Sequence, residues 1–121
     1  LLSGIMGQKK RIHIHVGKVL DTELDTIASE FDNSNKQIQA LAQTIDESIL
    51  KSYKLWPTNY IAYDILNKSN EHSHLYSENE KSLFERRMEL RIDDSNPIVL
   101  QSFLAMYANP VVNKMKFSDA I

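Results

Sequence analysis

The chain is 121 residues long, and fourteen Lys and Arg against sixteen Asp and Glu leave a formal net charge of −2. With 42% apolar and 25% charged residues, it has the composition of a folded globular chain, which excludes disordered, fibrous and collagen-like classes. Because there is no cysteine, a disulfide framework, a thiolate zinc site and a cysteine nucleophile are excluded, and a reducing, cytoplasmic setting is expected.

A chain of this length buries roughly two-thirds of its unfolded surface, so a single domain over 1–121 is expected to hold its own core. No apolar run approaches the roughly 20 residues of a spanning helix, and the first residues are too short and too polar for a signal peptide. The expectation is a soluble chain, or one lying on a membrane at its inner face. A binder of nucleic acid would carry a marked basic excess, so no nucleic-acid partner is expected. The first residue is Leu1 rather than Met, which suggests a piece of something longer.

Lys9, Lys10, Arg11 and Lys18 precede every acid, and Asp21, Glu23, Asp25, Glu30 and Asp32 follow with no base among them. Between them residues 11–16 alternate strictly, with Ile12, Ile14 and Val16 on one face and Arg11, His13 and His15 on the other, which predicts a strand. Leu20, Leu24, Ile27 and Phe31 then recur at helical spacing, with Asp21 as the expected cap. Residues 32–35 form a turn, and Ile38, Leu41, Ala42, Ile45, Ile49 and Leu50 make one stripe of a helix over 36–52, capped by Asn35. Pro57 interrupts it, because the residue before a proline is pushed out of the helical region. A helix restarting at Pro57 or Thr58 should turn Ile61, Ala62, Ile65 and Leu66 inward. After a loop over 67–76, Ser77 and Glu80 form a capping box for a helix through Leu83, Phe84 and Met88 to about Ile92. Asn96 and Pro97 open the last helix, offering Val99, Leu100, Phe103, Leu104 and Tyr107 for packing. Asn109 and Pro110 should stop it, with a frayed tail beyond Asn113. The expected fold is therefore α+β and mostly helical, one N-terminal strand followed by about five helices. The bare strand edges either stay unpaired or pair with a second copy, so a homodimer is a candidate.

Two His-x-His pairs, His13 with His15 and His72 with His74, could offer four imidazoles to zinc or copper. No carboxylate or cysteine stands at ligand spacing beside them, which favours structural or solvent-exposed histidines and no metal. Asp93 and Asp94 could be an acid/base pair, but an Asx turn at a helix end accounts for them. The segment 53–63 gathers four of the ten aromatics. Tyr53, Trp56, Tyr60 and Tyr63, with Lys51 and Lys54, suit a membrane or partner surface. The alternative is that these rings plug a junction between two helices, which base rates for buried aromatics favour. No phosphate loop and no Gly-x-Ser-x-Gly elbow occur.

Three stretches together resemble the C-terminal region of the glycerol-3-phosphate and 1-acylglycerol-3-phosphate acyltransferase family, in its Bacteroidetes type. Residues 10–21 (KRIHIHVGKVLD) are similar to the strand and turn that follow the catalytic core, with Val19 where proline is usual. Residues 45–64 (IDESILKSYKLWPTNYIAYD) and 103–110 (FLAMYANP) are similar to the helices beyond it. The resemblance spans most of 10–113. It implies a parent enzyme that uses acyl-CoA or acyl carrier protein and a lysophospholipid. That family's chemistry needs a His-x-x-x-x-Asp motif, whose imidazole deprotonates the acceptor hydroxyl, and a Glu-Gly-Thr-Arg-like motif for phosphate. Five positions after the four histidines stand Lys18, Leu20, Ser77 and Asn79. The chain is thus expected to be a non-catalytic C-terminal part with no catalytic residue and no cofactor. A helical protein-interaction module without enzymatic role is the alternative.

Overall fold

In the computed structural model, residues 11–92 and 95–120 are described, with side chains through Ser118. Five α-helices follow in order: α1 Asp21–Glu30, α2 Ser34–Ser52, α3 Pro57–Asn67, α4 Glu78–Arg91 and α5 Pro97–Ala120, with a short 3-10 turn, Ser73–Leu75, before α4. The chain divides into two units, Leu1–Lys54 and Leu55–Ile121.

In the first unit α1 packs on α2. The two are joined at a turn where Asn33 Oδ1 accepts from the Asn35 N–H at 2.8 Å and Gln37 Nε2 donates to the Phe31 carbonyl at 2.6 Å. Asn33 rather than Asn35 is therefore the cap of α2, and Leu20 rather than Asp21 precedes the first turn of α1. Neither helix has a buried side chain.

The expected strand over residues 11–16 is absent; the segment has no regular structure. Ile12, Ile14 and Val16 are 70%, 81% and 88% exposed. A strand is stable only when its ladder groups and one face meet a partner, and no strand exists among the described residues to supply either.

The second unit holds the core. Trp56 is extended, as its position before Pro57 requires, and its carbonyl accepts from the Asn59 N–H while its N–H donates to Asn59 Oδ1 at 2.8 Å. From that start α3 turns Ile61 and Ala62 fully inward against Phe84 of α4 and Leu104 and Ala108 of α5. Alanines at 62 and 108, both 0% exposed, leave room for the α3 and α5 backbones to approach. Phe84 meets Tyr107 edge-on at 5.5 Å between ring centroids and Phe103 at 6.1 Å. The box of Ser77 and Glu80 forms at 3.0 and 3.1 Å and opens α4. The Asn96 side chain accepts from the Ile98 and Val99 N–H groups at the start of α5.

Two expectations fail here. Val99 remains exposed, and Pro110 lies inside α5 instead of ending it. Proline has no N–H to give the carbonyl four residues back. Ala108 and Val111 on either side are both buried, and their packing holds the helix through the defect to Ala120.

Candidate functional site

The densest polar cluster in the second unit is built on Asp64, which sits in α3 one turn after Ile61 and is only 2% exposed. No ion pair to its carboxylate is found among the described residues. Oδ1 accepts from the Ser69 hydroxyl at 3.1 Å, Oδ2 accepts from the Tyr76 hydroxyl at 2.7 Å, and the His72 backbone N–H donates to both at 3.2–3.3 Å. The Asp64 carbonyl also accepts from the Ser69 N–H at 2.9 Å. Lys68, in the left-handed region at φ 52°, turns the chain so that these donors return to α3. These hydrogen bonds hold the carboxylate in one orientation. Burial, and then the bond to Asp64, push the Tyr76 phenol up from 10 to about 12.

The cluster places His72 against two rings. Its imidazole lies 5.2 Å from Tyr60 and 4.9 Å, edge-on, from Tyr63. Nε2 of His72 is buried and has no hydrogen-bond partner among the described residues. Burial raises the Tyr60 phenol above its usual value; burial and then the Glu71 carboxylate, 3.3 Å away, do the same for Tyr63. Tyr60 and His72 also form part of the wall of a cleft of about 280 Å3.

In the first unit a second cleft, about 360 Å3, lies between α1 and α2 and is lined by Glu23, Glu30 and Glu47 with Ile27, Phe31 and Thr44. Oε2 of Glu23 is buried there with no hydrogen-bond partner among the described residues.

The residues singled out in the aromatic segment divide between the units. Lys51 and Lys54 are exposed and Tyr53 is half-buried at the end of α2, within the first unit. Trp56, Tyr60 and Tyr63 are half-buried in the second unit. Tyr60 and Tyr63 both contact the His72 ring, and Tyr63 also packs against the core cluster. His13, His15 and His74 are exposed, and no group of three or more His, Asp and Glu among the described residues could hold a metal ion. Asp93 and Asp94 lie outside the described residues. Among the described helices none is long and apolar enough to cross a membrane.

Asp64 and its donors were not singled out from sequence. Asp64 stands at inward helical spacing from Ile61, and this was the available signal. Its donors arrive five, eight and twelve residues later through a loop, at no fixed spacing. In the comparisons, no protein-family model, no curated protein and no solved structure matches the chain.

Proposed function

We propose that the chain is the non-catalytic C-terminal part of a cytoplasmic acyltransferase of glycerophospholipid synthesis, in which the full-length enzyme transfers an acyl group from acyl-CoA or acyl carrier protein to a lysophospholipid. The resemblance over 10–113 supports the family. The observation that supports a scaffolding role is where its two best-marked stretches lie. Asn59 Nδ2 donates to the Tyr107 carbonyl at 2.8 Å, and Ile61 and Ala62 pack with Leu104 and Ala108. Residues of both stretches are thus consumed in joining α3 to α5. Neither stretch offers a base positioned beside an acceptor hydroxyl, which general-base chemistry requires.

The purified chain incubated with acyl-CoA and lysophosphatidic acid should give background turnover only. Turnover that disappears on His13→Ala or His15→Ala would overturn the non-catalytic reading. A His-x-x-x-x-Asp motif encoded upstream in the same reading frame supports the acyltransferase, and a natural start codon at Leu1 contradicts it.

The second reading, a free-standing helical interaction module, is favoured by one observation. Ile38, Ile45 and Ile49 share a face of α2 and stay 66%, 41% and 54% exposed. Apolar stripes of this kind mark partner surfaces.

A further inference from the structure

Residues 12–16 alternate apolar and imidazole side chains, Ile12, His13, Ile14, His15 and Val16. All five are exposed, and no strand pairs with them among the described residues. The order is the same from either end: apolar, His, apolar, His, apolar. A second copy of the chain is therefore a partner of matching chemistry. Closed dimers are two-fold symmetric and meet through the same surface on both copies, and two strands so related, with the same side up, run antiparallel. With the axis at Ile14, that residue faces its own copy, Ile12 faces the partner's Val16, and His13 faces the partner's His15.

Alternation then sends all four imidazoles to one side of the pair and the apolar side chains to the other. Cβ atoms facing each other across such a pair stand about 4.5–5.5 Å apart, and residues two apart along a strand stand roughly 6.4–6.8 Å apart. Four imidazoles at those spacings can converge on one ion at about 2.0–2.1 Å, and a tetrahedral set of nitrogens suits zinc. A single chain supplies only half of this, since no group of three or more His, Asp and Glu among its described residues could hold a metal ion. An isolated two-stranded pair is marginal in water, so the ion and the pairing complete each other. Gly17 ends the segment against α2, where a Cβ would lie 3.5 Å from Ser48 Oγ, and Ile45 and Ile49 on either side of Ser48 are exposed. Arg11 shares the histidine side and opposes a cation there. Residues 1–54 are nonetheless neutral, with seven bases and seven acids, so two copies meet without net repulsion.

We propose that residues 11–16 of two copies pair antiparallel about Ile14 and bind one zinc ion through His13 and His15 of each, so that zinc makes the chain a dimer. The proposal is independent of the acyltransferase reading, since it rests on the pattern and exposure of this segment alone.

The test measures the mass of the untagged 121-residue chain by light scattering after size exclusion at neutral pH, at about 0.1 mM chain, which populates a dimer of micromolar affinity. One run contains EDTA and the other half an equivalent of zinc chloride. The mass should be 13.9 kDa in EDTA and about twice that in zinc, with one zinc ion per two chains by elemental analysis. His13→Ala and His15→Ala each leave two of the four imidazoles and should return the chain to the monomer mass in zinc, while His74→Ala, in the other unit, should not. Ile14→Lys keeps every ligand but sets two like charges opposite each other, and it too should restore the monomer. His13, Ile14 and His15 are exposed, so none of these substitutions disturbs the core. Four results would each overturn the proposal: no change of mass with zinc, a dimer that persists in EDTA, a zinc dimer that survives loss of either His13 or His15 or is lost with His74, or one that tolerates Ile14→Lys.

Discussion

Asp64 shows how a single buried charge can organise a loop. Three donors from Ser69, His72 and Tyr76 replace the water it gave up, so removing the acceptor strands all three inside the protein. Asp64→Ala should cost about 3 kcal/mol or more, the range for breaking a buried charged network, read from urea unfolding; a loss under about 0.5 kcal/mol would place Asp64 at the surface. Tyr76→Phe removes one charge-assisted bond and should cost about 1.5–3 kcal/mol. The Tyr76 phenol also gives the unfolding a pH signature. Its folded value is raised from 10 to about 12, so the folded state favours the neutral form. The stability this contributes is complete below pH 10 and is lost as pH rises from 10 toward 12. Unfolding free energy should fall across that window, and less steeply in Tyr76→Phe.

At the scale of the element, legibility followed the range of the interaction. The box of Ser77 and Glu80 and the Asn96 cap are bonds across two or three residues, and both were readable from spacing alone. The α2 cap was misplaced by two residues because residues 32–35 hold four adjacent polar side chains able to cap. The strand over 11–16 was inferred from alternation, a pattern that states which faces a strand would have and not whether a partner exists. The end of α5 was misjudged at Pro110, where local propensity and tertiary packing oppose each other and the burial of Ala108 and Val111 prevails. A mid-helix proline costs about 3 kcal/mol relative to alanine. Pro110→Ala should therefore stabilise the chain, by about 1–3 kcal/mol if α5 is continuous. A net loss on that substitution, measured by thermal or urea unfolding, would contradict the continuous helix. Asn59→Ala should cost about 1–2 kcal/mol by freeing the Tyr107 carbonyl inside the contact of α3 with α5.

At the scale of the molecule the apolar residues are unevenly used. Every buried side chain among the described residues belongs to the unit Leu55–Ile121, while the helices of the unit Leu1–Lys54 leave Ile38, Ile45 and Ile49 exposed. The second unit therefore carries most of the hydrophobic stabilisation, and residues 55–64 and 103–110 are part of its framework. Local opening is governed by buried apolar contact. Native-state hydrogen exchange of the intact chain, resolved by residue, measures this distribution most directly. The amides of Ala62, Phe84, Leu104 and Ala108 should exchange only through global unfolding, while those of residues 21–52 exchange at least about a hundredfold faster. Equal protection in α2 and α3, or slower exchange in α2 than in α5, would contradict the assignment of the core to the second unit.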